Sequence, residues 1–194
     1  MIELPKLVLA SSSPRRIEIL TSVGWQFTHE AADIDEGVID GELPARYVAR
    51  LAREKAEAVA SSRSREIVLG ADTTVLVRDQ MMGKPVDLED ARRMLRILSG
   101  DWHQVLTGIA IVRDGESRSA VQVTRVRFTE MTEAEIDFLA ERGDPLDKAG
   151  AYAVQAQAAL FIEKIEGDYW NVVGLPVSLV YRLIMEKAFG AAEA

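Results

Sequence analysis

The stretch Leu7–Leu20, LVLASSSPRRIEIL, constrains this chain more than any other part of it. Leu7, Val8 and Leu9 have the character of a short buried strand. Ser11, Ser12 and Ser13 interrupt it. Pro14 suits the first turn of a helix, where its missing N–H costs nothing, and Ser13 stands where an N-cap hydroxyl is favoured. Ile17, Leu20 and Val23 recur at helical spacing, and Gly24 can end the helix. The pattern is a strand, a tight polar loop and a helix N-terminus carrying Arg15 and Arg16. Backbone N–H groups there, the hydroxyls of Ser11 and Ser13 and the two guanidinium groups favour an anion, phosphate foremost. A plain Ser-Pro helix start with solvated arginines has the same appearance. The loop is not a P-loop, because it lacks Gly-x-x-x-x-Gly-Lys and contains no glycine.

Trp25 to His29 alternates enough for a second strand, and Ala32 to Gly37 is an acidic loop. A long helix is expected from Pro44 to about Ser61. Its apolar stripe is Tyr47, Val48, Leu51, Ala52 and Val59, with Arg46, Arg50, Arg53, Glu54 and Lys55 off the stripe. Ile67–Leu69 reads as a second buried strand ending in Gly70-Ala71-Asp72-Thr73, and Thr74–Val77 continue toward a turn at Arg78-Asp79-Gln80. Met81 to Pro85 reads as a loop. Asp87 caps a helix to about Ser99, stopped by Gly100. Gln104–Val112 and Ser119–Phe128 are two long strands around an Asp114-Gly115 turn. Thr132 and Glu135 form a capping box for a helix to about Glu141. Arg142–Gln157 reads as a functional loop, Leu160–Ile165 as a strand, Gly167–Leu175 as a loop and Pro176–Phe189 as a final helix before a frayed AAEA tail. Helices and strands alternate early and a hairpin dominates the middle. The expected fold is therefore α/β, a mixed twisted sheet with flanking helices.

With 194 residues and no linker-like or repetitive tract, residues 1–194 are expected to form a single domain, with room for two lobes. The chain has no cysteine, which removes disulfides and thiolate chemistry, and only two histidines. Any metal should then be a hard cation held by oxygen. The net charge of −8 argues against a nucleic-acid partner but not against a small polyanion met by a few local cations. No apolar run approaches the roughly 18 residues of a membrane span, and no signal-peptide pattern is present, so the expected location is cytoplasmic.

Several residues could carry chemistry. A carboxylate at the carboxyl end of a buried strand, as Asp72 is read here, points into the crevice where α/β proteins bind ligands. Glu36 could join it around a divalent ion, since such sites use one or two protein carboxylates with substrate phosphates. Lys84, between Gly83 and Pro85, and Lys55 are point charges suited to phosphate, although Lys55 on its own reads as solvated. Asp147–Gln155 reads as too polar and too rich in Gly and Ala for core, and Gln155 offers the donor and acceptor that can read a base edge. His103 reads as a structural hydrogen-bonder. Trp25, Trp102 and Trp170 read as packing residues.

Taken together, Ala10-Ser11-Ser12-Ser13-Pro14-Arg15-Arg16, Glu54-Lys55-Ala56, Gly70-Ala71-Asp72-Thr73, Gly83-Lys84-Pro85, Leu98-Ser99-Gly100, Asp147–Tyr152 and Gly174-Leu175-Pro176 resemble the Maf family of nucleoside triphosphate pyrophosphatases, in family order and over nearly the whole chain. The resemblance implies a fold like that of the inosine triphosphate pyrophosphatases, with two lobes around a cleft and often a homodimer. It implies hydrolysis of a nucleoside triphosphate to monophosphate and pyrophosphate with Mg²⁺ or Mn²⁺. Asp72 matches the proton acceptor, and Arg15, Thr73 and Gln155 match positions linked to substrate choice. The motifs look like the branch acting on dTTP and UTP rather than 7-methyl-GTP. Ser12 and Ala153 depart from glycines frequent in the family, which bears on fine specificity. Whether Asp72 ligates the metal or acts as the free base stays open. A nucleotide-binding regulator of septum formation without turnover, and a phosphatase releasing orthophosphate, are the alternatives.

Overall fold

The computed structural model describes residues 3–185. The elements are β1 (Leu7–Leu9), α1 (Pro14–Ser22), β2 (Phe27–His29), α2 (Pro44–Ala60), β3 (Ile67–Val77), β4 (Gln80–Met82), α3 (Leu88–Leu98), β5 (Trp102–Arg113), β6 (Glu116–Phe128), α4 (Glu133–Arg142), β7 (Ile162–Glu166), α5 (Tyr169–Val173) and α6 (Val177–Met185). Three 3₁₀ turns lie between α4 and β7. Among the described residues the strands form one seven-stranded sheet in the order β2-β1-β3-β5-β6-β7, with β4 paired to β3. β1 runs parallel to both β2 and β3, whereas the β3–β4 and β6–β7 pairs are antiparallel. The sheet is mixed and flanked by helices, as expected.

Contacts divide the chain into two compact units. Among the described residues, unit 1 comprises 3–72, 107–122 and 174–185, and unit 2 comprises 73–106 and 123–173. β3, β5 and β6 each contribute residues to both.

In unit 1, α2 lies on a core of small side chains: Ala52, Ala56, Val59 and Ala60 pack with Val8, Ala10, Val68, Ala110 and Val112. Two strand glycines set how close that helix comes. A Cβ on Gly70 would sit 2.0 Å from the Ala52 carbonyl oxygen, and one on Gly108 would sit 2.2 Å from that of Val48. No side chain fits there, so both positions require glycine on steric grounds.

In unit 2, Arg78 and Asp79 both take positive φ and close the β3–β4 hairpin. Asp87 accepts from the Asp90 N–H, and Thr132 with Glu135 forms the reciprocal capping box.

Several expectations are corrected. Met81–Pro85 is not all loop, because Gln80–Met82 pairs with β3. Gly167–Leu175 contains α5, whose start is capped by Asp168 accepting from the Trp170 and Asn171 N–H groups. Lys148–Val154 is core, with Ala151, Tyr152, Ala153 and Val154 all buried. Its small residues permit close packing, as at Gly150, where a Cβ would meet the Val75 side chain at 2.9 Å. Trp25 is a buried packing residue that donates to the Pro5 carbonyl, but Trp170 is exposed. The expected end of the last helix at Phe189 and the AAEA tail lie outside the described residues.

Candidate active site

Ala10 extends β1 by donating to the Leu69 carbonyl of β3, and this pairing aims the serine loop. Ser13 occupies the N-cap of α1 but makes no side-chain cap bond; the Ser11 hydroxyl instead accepts from the Ser13 N–H at 3.2 Å. Pro14, at the first helical position, removes one of the orphan N–H groups of the helix start. Arg16 turns inward. Its Nη1 donates to Ser11 Oγ at 3.1 Å and its Nε to the Gly174 carbonyl at 2.9 Å. The expectation of two arginines presented side by side therefore changes: Arg16 is buried and braces the loop, whereas Arg15 is half-buried. Burial pulls the Arg16 guanidinium below its ordinary pKa, the charge of Asp72 acts against that, and Arg15 and Glu36 contribute in opposite senses. Arg15, Arg16, Glu36 and Asp72 thus belong to one electrostatic neighbourhood within unit 1.

Asp72 is not at a strand end. It lies in the middle of β3, an 11-residue strand, because the extended backbone runs on past it to Val77, with Val75–Val77 pairing with β4. Its side chain is buried and accepts from Lys55 Nζ at 2.7 Å. The same ammonium lies 2.7 Å from Glu36 Oε1, so it bridges the two carboxylates.

Lys55 corrects the expectation that it lies off the apolar stripe: only 8% of the residue is exposed. Its place follows from periodicity, since Val48, Leu51, Lys55 and Val59 follow at i, i+3, i+7 and i+11 on the buried face. The close seating of α2 at Gly70 brings that face within reach of Asp72. A buried ion pair of this kind persists because each charge meets its counter-charge.

Tyr47 and Arg50, about two turns and about one turn before Lys55, belong to the same surroundings and were not singled out from the sequence as site residues. The Tyr47 hydroxyl donates to the Glu36 carbonyl at 3.1 Å, and its pKa is raised by burial and then by the charges of Asp72 and Glu36. Arg50 holds Glu42 through two hydrogen bonds of 2.8 Å each. That contact lowers the Glu42 pKa and raises that of Arg50. The helical spacing of Tyr47, Arg50 and Glu54 after an acidic loop was the available signal.

Ser11, Ser13, Arg15, Arg16, Glu36, Lys55 and Asp72 all lie in unit 1. The remaining expected site residues, Thr73, Lys84 and Gln155, lie in unit 2. Thr73 is half-buried, while Lys84 and Gln155 are exposed. The Gly150 N–H donates to the Gly83 carbonyl at 3.0 Å, which ties the segment before Gln155 to the turn before Lys84.

Among the described residues no group of three or more His, Cys, Asp or Glu is arranged to hold a metal. Glu36 and Asp72 nevertheless suit a hard divalent cation that takes its other ligands from substrate phosphate and water.

The family profile described as Maf-like protein matches residues 6–187. This chain belongs to the Maf family. Relatives in that family include a protein of Geotalea uraniireducens, 50% identical over 96% of this chain and 96% of its own length. Another, from Hahella chejuensis, is 48% identical over 95% of this chain and 92% of its own length. A third, from Thermotoga maritima, is 44% identical over 95% of this chain and 90% of its own length. All three are named dTTP/UTP pyrophosphatase. Among solved structures, the Staphylococcus aureus Ham1 protein matches with a TM-score of 0.52 at 15% identity, covering 92% of this chain and 97% of that one. That likeness is one of fold alone.

Proposed function

We propose that this chain hydrolyses dTTP and UTP to the corresponding monophosphate and pyrophosphate. The observation that carries the reading is the bridge from Lys55 to Asp72 and Glu36, in the unit that also holds Arg15 and Arg16. The names of the Maf relatives supply the substrate class.

In this reading Ser11, Ser13, Arg15, Arg16, Lys55 and Lys84 hold the triphosphate, as positive charge and N–H or O–H donors do for phosphate oxygens. Asp72 takes the proton of the attacking water. That water forms a new P–O bond in line with the α–β bridge, the bridging P–O bond breaks, and pyrophosphate departs with its charge met by the cations. Glu36, together with Asp72 where it ligates instead of acting as the free base, would hold a divalent cation such as Mg²⁺ or Mn²⁺, which when bound neutralises phosphate charge. Arg15, Thr73 and Gln155 are the proposed determinants of base choice. Gln155 is exposed and its amide can both donate and accept. Two lobes of a single domain, a homodimer and a cytoplasmic setting belong to the same proposal. Among the described residues no helix is long and apolar enough to cross a membrane.

Incubation with a panel of nucleoside triphosphates and Mg²⁺ or Mn²⁺, with products identified by chromatography, tests the reading. Monophosphate plus pyrophosphate from dTTP and UTP is expected. Diphosphate plus orthophosphate, or saturable binding without products, would overturn it in favour of a phosphatase or a binding regulator.

A further inference from the structure

The loop from Asp35 to Leu43 carries Glu36, yet it buries little apolar surface of its own. Val38, Ile39 and Leu43 are 60%, 56% and 62% exposed. Polar contacts to α2 must therefore hold it. Besides its paired bonds to Glu42, Arg50 Nη2 donates to the Gly37 carbonyl at 2.9 Å, and Nη1 donates to Glu54 at 3.2 Å. The guanidinium lies 5.7 Å from the centre of the Tyr47 ring, whose hydroxyl holds the Glu36 carbonyl. Inside the loop, Asp35 Oδ1 accepts from the Gly37 N–H at 2.8 Å. The backbone carbonyls of Glu36 and Gly37 are thus pinned to the helix that carries Lys55.

We propose that Arg50, assisted by Tyr47, is a positioning residue that holds Glu36 against Lys55 and Asp72. The inference rests on the pyrophosphatase reading and deepens it. Arg50 touches no reacting atom; it acts through Glu36. The planar guanidinium suits this role because it grips a carboxylate through two parallel bonds while a third N–H reaches a carbonyl, which a lysine ammonium cannot reproduce in that geometry. Because the loop contributes little to the core, loosening it should affect turnover far more than global stability.

The test is a double-mutant cycle on dTTP, with thermal melting measured on every variant. Arg50→Met should lower kcat about tenfold or more in the wild-type background, as misplacement of a catalytic group does, with little change in melting temperature. In the Glu36→Gln background the same substitution should cost less than about twofold, because its target has already been disabled. Arg50→Lys should recover only part of the loss, and Tyr47→Phe should show a smaller effect with the same dependence on Glu36. Equal losses in both backgrounds, or unchanged kcat for Arg50→Met and Tyr47→Phe, would overturn the proposal. Amide exchange over residues 35–42 is read in parallel and needs no turnover: faster exchange in Arg50→Met supports the clasp, and unchanged exchange contradicts it. A wild-type chain that releases no pyrophosphate would sink the catalytic reading instead, and the exchange result would still decide whether Arg50 holds the loop.

Discussion

In unit 1, Lys55 and Asp72 are buried together as opposite charges, whereas in unit 2, His103 and Tyr152 are buried together as neutral groups. His103 Nε2 and the Tyr152 hydroxyl are 2.7 Å apart, and both rings meet Phe128 edge-on. Burial pushes the His103 pKa down to about 4 and raises that of Tyr152. Among the charges of unit 2, only Asp101 opposes the His103 shift, and it does not prevent it. Around Lys55 two carboxylates face one ammonium, so the charges survive desolvation. The first arrangement keeps formal charges inside the fold, and the second spends its polar groups on packing.

Removing the bridging cation should break this contrast most severely. Lys55→Met leaves Asp72 buried beside Glu36 with no ammonium between them. Turnover should fall about 10²- to 10³-fold, as when an electrostatic stabiliser is lost, and breaking the buried pair should cost on the order of 3 kcal/mol. Steady-state kinetics and denaturant melts read the two effects.

The neutral cluster should respond to acid instead. The His103 pKa in the fold lies below its ordinary value of 6.5, so the unfolded chain takes up a proton first as pH falls. Its contribution is intact above about pH 6.5 and is lost as pH falls toward 4, amounting to about 3 kcal/mol over the window. The double variant His103→Phe, Tyr152→Phe should remove that component from the stability–pH curve. An unchanged curve would assign the acid response to other groups.

A smaller, geometric change should sharpen the comparison. Gly70→Ala places a methyl 2.0 Å from the Ala52 carbonyl oxygen and 2.8 Å from the Ala56 nitrogen. It should cost about 1–3 kcal/mol by overpacking and lower turnover by moving α2, and with it Lys55, away from Asp72. The His103 pH response should remain as in the wild type.

The sequence disclosed parts of this arrangement unequally. The serine loop, the Asp114-Gly115 hairpin and the capping box of α4 were readable because local chemistry decides them. Lys55 was not, because its charge outweighed its helical phase; only the counter-charges from β3 and the Glu36 loop, distant in sequence, make its burial tolerable. Asp72 was placed at a strand end because Gly70 and Ala71 look like a terminus. The Gly70 that suggested a break is there to admit α2, and the strand runs on. Lys148–Val154 looked like a polar loop because small residues carry little hydrophobic signal, yet small residues are what close packing against Val75 requires. The family motifs named Lys55 and Asp72, but nothing local in the sequence revealed that one ammonium joins Asp72 to Glu36 or that Arg50 secures the loop.

The most direct test of the central claim is the turnover of folded Asp72→Asn on dTTP and UTP. The substitution keeps the side-chain shape and removes the base, while Glu36 still faces Lys55. The account predicts kcat lower by about 10²-fold or more, with a circular dichroism spectrum matching the wild type. Near-wild-type release of pyrophosphate by a folded Asp72→Asn chain would contradict it.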